Sequence, residues 1–471
     1  FGAPGGVVGC AGPCVFRGLK GCQMAEGVSI PEPVRMRRVF HTWWPLAASW
    51  LLMAVELPTL SAVVARLADP KIHLAAWGGV VFPLALIIEA PIIMLLAAST
   101  ALSKDWASYQ KLRRFMMWAG GILTAVHALV AFTPLYDFVV GGLIGAPQEI
   151  IEPARIGMRI MVVWSWAIAY RRFNQGVMIR FGFSRAVGVG TAIRLMADGL
   201  VLAVGLTLRT IPGIVVAASA VATGVLCEAL YAGLRVRPVL RQQVRHAPPA
   251  AEPLTRWTFA QFYFPLAMTS LLNLLVQPMG SAALSRMPEA LESLAVWPVL
   301  SGLVFMMRSL GVAFNEVVVA LLDEPRSARA LRGFGAALTV GSTLLLLLVA
   351  GTPLATLWFG RVTGLAAPQV SLAQSALWYA LPLPGLSAMM SWFQGVILHS
   401  RRTRGITEAV AIYLVVSGIV LAAGVMWGGA TGLFVAWTAF SLGSVLQTLW
   451  LWLRSRPAMK MVAARETGFE S

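Results

Sequence analysis

Ionisable and amide side chains are scarce in the apolar stretches of this chain, so each one found there is a place where chemistry could occur. Glu56 stands two residues before Pro58, and Glu89 two before Pro91. A proline inside a helix cannot donate its backbone hydrogen bond, so it kinks the helix and frees a carbonyl. A carboxylate beside a freed carbonyl is a reasonable site for a proton or a sodium ion. The competing reading is a Glu paired with a neighbouring base for packing alone. If the two stretches are consecutive and antiparallel, both carboxylates could approach one cavity and share a proton. Arg194 and Asp198 are four residues apart, one helical turn. They either neutralise each other as an i,i+4 pair, or Arg194 is a substrate anchor that Asp198 releases. Arg308 has no acid within one turn, Glu316 being two turns away. An unpaired guanidinium suits an anion, because its five donors match phosphate or carboxylate oxygens; otherwise it caps the carbonyls of a broken helix. His127, alone in its stretch, is either a titrating site residue or a satisfied core histidine. Asn273 and Gln277, one turn apart, could line a cavity or hold helices together.

The stretches that carry these residues are membrane spans. The chain has 471 residues, 58% hydrophobic and only 12% charged, with a mean hydropathy of +0.76. A soluble globular chain has about 45–50% apolar and about 25% charged residues, so soluble enzymes, nucleic-acid-binding domains and disordered chains are excluded. The net charge of +17 is better explained by basic residues gathering on the cytoplasmic side of a membrane than by nucleic acid. A spanning helix needs about 20 apolar residues, and twelve such runs occur, near 41–65, 73–102, 115–136, 156–180, 186–208, 211–234, 259–285, 294–321, 334–357, 371–398, 406–427 and 430–453. With the N-terminus placed inside, 26 Lys and Arg fall on the inner side and seven on the outer. Every alternate loop obeys that bias, which places both termini in the cytoplasm of a multi-pass cell (inner) membrane protein. In that count only Arg194 and Arg308 are basic residues within spans.

The two halves repeat. At an offset of 220, residues 45–66 and 265–286 share nine of 22 positions, including Pro45/Pro265, Pro58/Pro278 and Arg66/Arg286; at 219, residues 175–205 and 394–424 share 12 of 31. Six helices per repeat is an even number, so the copies enter from the same side and form a parallel repeat. The expected fold is all-α: twelve transmembrane helices in two six-helix lobes, 39–237 and 259–455, with a basic, Pro-rich cytoplasmic linker over 238–258 and a tail over 456–471. Residues 1–38 read as a disordered leader, with Met24 as the expected start. Its Cys10, Cys14 and Cys22 give no paired zinc spacing.

Six plus six helices, a proline-kinked first helix in each half and the Gln175-Gly176 motif before a basic loop resemble the multidrug/oligosaccharidyl-lipid/polysaccharide exporter superfamily, which includes the MATE (multidrug and toxin extrusion) transporters. Within it, Phe262-Tyr-Phe-Pro-Leu-Ala267, Ala125-Val-His-Ala-Leu-Val-Ala131 followed by Tyr136-Asp-Phe, and Trp392-Phe-Gln-Gly-Val-Ile-Leu398 resemble the progressive ankylosis protein family. The resemblance spans residues 39–455. It implies a V-shaped two-lobe transporter working by alternating access, and export of an organic or phosphate-bearing anion. MATE transporters coupled to cations often carry an acid in the first helix; Glu56 supplies one here, whereas its repeat mate is Val276.

No Gly-x4-Gly-Lys-Ser/Thr, His-Glu-x-x-His or Gly-x-Ser-x-Gly motif occurs, so the energy is expected from an ion or substrate gradient rather than from hydrolysis. The reading is a monomeric secondary active exporter in the lipid bilayer, not an enzyme. Its partners are a small-molecule substrate and no nucleic acid; it has no cofactor beyond Na+ or H+ as coupling ion. Glu56, Glu89 and Asp198 are the ion-coupling candidates, and Arg308, Arg194, Asn273, Gln277 and His127 the substrate-binding ones. The alternative is a flippase of lipids or lipid-linked oligosaccharides. A membrane scaffold is disfavoured because buried charge would then have no use to offset its cost.

Overall fold

The computed structural model describes residues 34–250, 252–324, 326–400 and 404–468; the leader cysteines and Met24 lie outside them. Twelve long helices traverse the molecule: α1 Met36–Val64, α2 Pro70–Leu102, α3 Trp106–Phe132, α4 Gln148–Arg180, α5 Ser184–Leu208, α6 Gly213–Val244, α7 Arg256–Leu284, α8 Ala290–Leu321, α9 Ser327–Gly351, α10 Ala367–His399, α11 Arg404–Trp427 and α12 Gly432–Val462. Eleven of them are long and apolar enough to cross a membrane. The remaining one, α4, is 33 residues long, about 50 Å at 1.5 Å per residue, and is diluted by Arg155, Arg159, Arg171 and Arg172.

The repeat is visible in backbone detail. α1 and α7 are both 29 residues long and begin at Met36 and Arg256, an offset of 220. Left-handed residues recur at equivalent joints: Asp69 (φ 48°) with Glu289 (φ 56°), Gly145 (φ 72°) with Gly364 (φ 76°), and Arg209 (φ 54°) with Gly428 (φ 62°). One residue distinguishes α2 (33 residues) from α8 (32 residues). The extra one sits where Trp77–Val81 winds as a π-helix, the usual way a helix absorbs an insertion. The offset therefore falls from 220 at Trp77/Trp297 to 219 at Leu102/Leu321.

Of the two prolines singled out in the sequence, Pro58 follows a helix break as expected, whereas the helix runs on through Pro91. α1 is interrupted at Val55, so Glu56 opens a new helical segment. α2 is interrupted at Met94, just past Pro91. Two further features differ from expectation. The stretches between α3 and α4, and between α9 and α10, are not plain loops but hold short helices, Leu135–Ile144 and Leu354–Thr356 continuing into Leu357–Val362. The linker is also shorter than 238–258, since α6 continues through a π-helical turn, Leu240–Val244. What remains is fastened to the start of α3. Ala250 N donates to Asp105 Oδ2 (2.8 Å), Lys111 Nζ donates to the Leu254 carbonyl (2.7 Å), and Arg245 lies 4.8 Å over the Trp106 ring. Burial alone would push the Asp105 carboxyl up; the bonds from Ala250 N and Ser108 N, with Lys111 close by, outweigh it and hold it below the usual carboxylate range.

The two halves meet at both ends of the bundle and along its middle. Between the ends, a Cβ on Gly78 of α2 would come within 2.6 Å of Pro298 of α8 and one on Gly302 of α8 within 3.0 Å of Pro58 of α1, so α8 touches both α1 and α2 where a side chain is absent. Near the end that carries Met36, Trp43 Nε1 of α1 donates to the Leu310 carbonyl of α8 (3.0 Å), and its repeat mate Tyr263 of α7 donates through its hydroxyl to the Pro91 carbonyl of α2. At the opposite end, Lys71 pairs with Glu292, and Arg66 and Arg286 each reach across to backbone carbonyls of the other half.

Candidate functional site

A chain of ion pairs runs through the N-terminal half. The break at Val55 turns Glu56 toward α5, where Arg194 Nη2 bonds its Oε2. Arg194 Nε lies 3.9 Å from Glu228 of α6. Glu228 is fully buried and bonds Arg171 of α4 through Oε2, while Gln175 Nε2 donates to its Oε1 (2.8 Å). Glu56, Arg194, Glu228 and Arg171 thus tie four helices together. Glu89 is buried at 3% exposure within electrostatic reach of Arg171, Arg172 and Arg194, and Asp198 lies among Glu56, Arg194 and Glu228. Among the described residues, Glu89 Oε2 and both oxygens of Asp198 accept no hydrogen bond from a donor, and the Glu56 carboxyl stands within hydrogen-bonding reach of Asp198.

Formally this cluster holds four carboxylates (Glu56, Glu89, Asp198, Glu228) and three guanidiniums (Arg171, Arg172, Arg194), an excess of one negative charge. Buried charge is tolerated only when paired and hydrogen-bonded. One proton or one monovalent cation would restore balance.

Several expectations need correcting here. No ion pair links Arg194 to Asp198; Arg194 turns to α1 and α6 instead, because a cross-helix carboxylate lets its guanidinium extend where a partner one turn away makes it fold back. Arg171 and Arg172, counted among the 26 bases of the inner side, belong to the span itself. They lie inside α4, with Arg171 buried, so Arg194 and Arg308 are not the sole basic residues within spans. Glu228 was missed altogether, although as an acid inside the run 211–234 it carried the same signal as Glu56. His127 is fully buried, and its Nδ1 lies 2.9 Å from Ser165 Oγ, joining α3 to α4 inside the N-terminal half.

The C-terminal half repeats the pocket without its charges. At the 219 offset the mates of Arg194, Asp198, Glu228 and Gln175 are Tyr413, Ser417, Gln447 and Gln394, and the mate of Glu89 is Arg308. An acid in one half thus corresponds to a base at the equivalent position of the other. Arg308 is half-buried and near enough to Tyr413 to act on it electrostatically. Its Nε has no partner among the described residues, and its backbone carbonyl accepts from Ser387 Oγ (3.0 Å). Asn273 is exposed and Gln277 half-buried on α7.

No protein-family model matches the sequence, and no curated protein matches it. Solved structures do share the fold. An inward-facing multidrug resistance MATE family transporter of the MOP superfamily aligns with a TM-score of 0.70 at 13% identity, covering 90% of this chain and 98% of that one. The lipid II flippase MurJ in an inward closed conformation aligns with a TM-score of 0.69 at 15% identity, covering 90% of both chains. An outward-facing MATE family transporter gives a TM-score of 0.55 at 14% identity, covering 92% and 97%. The all-helical, two-half architecture is therefore the MATE-like fold.

Proposed function

We propose that this protein is an ion-coupled secondary transporter that moves a small organic or phosphate-bearing anion by alternating access between its two halves. It sits in the inner membrane as a monomer, with the Met36 end of the bundle, which carries most of the Lys and Arg, in the cytoplasm. The observation that carries this reading is the charge asymmetry of the repeat: an acid-rich network with one negative charge in excess in the N-terminal half, and Arg308 with a free Nε at the equivalent place in the C-terminal half. The first takes a proton or sodium ion at Glu56, Glu89 or Asp198. The second offers bidentate donors to the substrate, and Asn273 and Gln277 of α7 are further candidates for contacting it. A resemblance to the progressive ankylosis family and the MATE-like fold both favour export. A lipid-linked cargo is the second reading, favoured by the TM-score of 0.69 to a lipid II flippase.

Purified protein in proteoliposomes, under imposed pH or sodium gradients and offered a panel of anions and cationic dyes, tests the proposal. Glu56→Gln removes the exchangeable charge and keeps the shape. It is expected to reduce gradient-driven uptake to background while the protein stays monodisperse. If Glu56→Gln transports normally, Glu56 is structural and coupling passes to Glu89.

A second prediction concerns substrate charge. Arg308→Lys keeps the charge and loses the fork, so it should weaken anion binding less than Arg308→Ala, which should lose it by about tenfold or more. Isothermal titration of the transported anion reads both. Wild-type binding by both variants removes the anion and favours a cationic or neutral cargo.

A further inference from the structure

The two seams where the halves meet near the Met36 end are built on one plan and finished differently. In each, an aromatic residue of a half's first helix donates to a carbonyl in the second helix of the other half and packs edge-on against a phenylalanine of that half's third helix. Trp43 bonds Leu310 O and lies 5.4 Å from Phe334. Tyr263 bonds Pro91 O and lies 5.0 Å from Phe115. Phe334 is the repeat mate of Phe115, and Leu310 that of Pro91.

Beyond this shared floor the symmetry ends. Outside Tyr263 a groove of about 970 Å³ opens between α3 and α7, apolar along Phe115, Phe259, Phe264 and Trp118 and basic at Lys111, Arg114 and Arg256. None of these three bases has an acidic ion-pair partner among the described residues, and all three are exposed. Trp118 is 73% and Phe264 66% exposed. In the other seam the mates of Lys111, Arg114, Arg256 and Trp118 are Ala330, Gly333, Met36 and Ala337. There Met36 lies against Gly333, its Cε 3.1 Å from where a Cβ would stand, so the positions equivalent to the three bases hold uncharged residues.

We infer that the groove between α3 and α7 is a binding site for an anionic phospholipid, with its phosphate held by Arg114 and Arg256 and an acyl chain laid along Trp118 and Phe264. Charge complementarity selects the occupant. The bases lie at the end of the bundle where Lys and Arg gather, the level of the anionic headgroups of a cytoplasmic leaflet, where each basic residue contributes attraction to acidic lipid. The apolar wall below them meets hydrocarbon. A soluble phosphate would leave that wall bare, and a zwitterionic lipid would bring its own cation against three others. Because the groove is walled by one helix from each half, a lipid seated in it contacts both and is released when they separate. The site stands apart from the proposed coupling network and does not depend on what the protein carries.

The test is native mass spectrometry of the full chain in non-ionic detergent, titrated with palmitoyl-oleoyl phosphatidylglycerol or with phosphatidylcholine of the same chains. Wild type is expected to retain phosphatidylglycerol in preference. Arg114→Ala with Arg256→Ala should weaken it roughly tenfold or more and leave phosphatidylcholine unchanged. Both side chains are exposed, so folding is preserved. The Arg114→Lys, Arg256→Lys pair should restore most of the binding, and Arg329→Ala with Arg332→Ala, on α9 of the other half, should have no effect. Equal retention of the two lipids, wild-type retention by the double alanine variant, or equal competition by glycerol phosphate overturns the assignment.

Discussion

Glu228→Gln is expected to be the most destabilising single substitution of an ionisable residue in the N-terminal half. Glu228 is shared by Arg171, which bonds it directly, and by Arg194 at 3.9 Å. Its removal leaves Arg171, at 6% side-chain exposure, without the carboxylate it bonds directly, and Arg194, at 10%, with Glu56 as its remaining ion-pair partner. Breaking a buried pair by deleting one partner costs roughly 3–5 kcal/mol, because the remaining charge is uncompensated. Gln keeps the volume and can still accept from Gln175, so the loss reports charge and not packing. Thermal unfolding of the purified protein in detergent should show a large fall in melting temperature. Glu408→Gln is the comparison. Glu408 also bonds two arginines, Arg404 and Arg454, but at the surface, where such pairs contribute little, and its melting curve should match wild type. If Glu228→Gln melts like wild type, the network is not what holds α4, α5 and α6 together.

That network also marks where the sequence was readable and where it was not. The repeat, the count of twelve and the prolines beside Glu56 and Glu89 were legible, because shared Pro and Arg at a constant offset survive any apolar background. The partners of Arg194 were not, since nothing in a single chain says which of several helices in a bundle will lie beside it, and the i,i+4 carboxylate of Asp198 was the nearest in sequence. Arg171 and Arg172 were hidden by their position: a little over two turns from the end of α4, they look like the edge of a basic loop. The short helix Leu135–Ile144 was lost between α3 and α4 because ten residues, with Asp137 among them, are too few to be read as a span. The charge inversion of Glu89 and Arg308 stayed invisible until the π-helical residue in α2 fixed the 219 offset.

The same register explains why Arg66 and Arg286 were conspicuous as mates and yet had no assigned role. Arg66 Nη2 donates to the carbonyls of Arg361 (2.6 Å) and Val362 (3.0 Å). Arg286 donates to those of Ile144 (2.6 Å), Leu143 (2.7 Å) and Gly142 (3.1 Å). In both cases the acceptors are the unpaired carbonyls at the end of the short helix of the opposite half, where the partial negative charge of the helix terminus favours a cation. Gly145 and Gly364 follow those termini with φ of 72° and 76°, and a Cβ there would come within 3.2 Å and 3.0 Å of the guanidinium. Only glycine satisfies both the left-handed turn and the close approach. Five cross-half hydrogen bonds from charged donors therefore hold this end of the bundle shut, each contributing about 0.5–1 kcal/mol at exposed positions, with the Lys71–Glu292 ion pair beside them. The double variant Arg66→Ala, Arg286→Ala should shift the equilibrium between closed and open arrangements of this end by more than tenfold, and each single variant by less. Spin labels at exposed Gln148 and Ala367, equivalent positions in the two halves, read the separation in a cysteine-free background by pulsed electron resonance. A longer-distance population should appear in the double variant and be weaker in each single one. An unchanged distance distribution would mean that the α2–α8 contact at Gly78 and Pro298 closes this end unaided, and that the paired arginines only cap their helices.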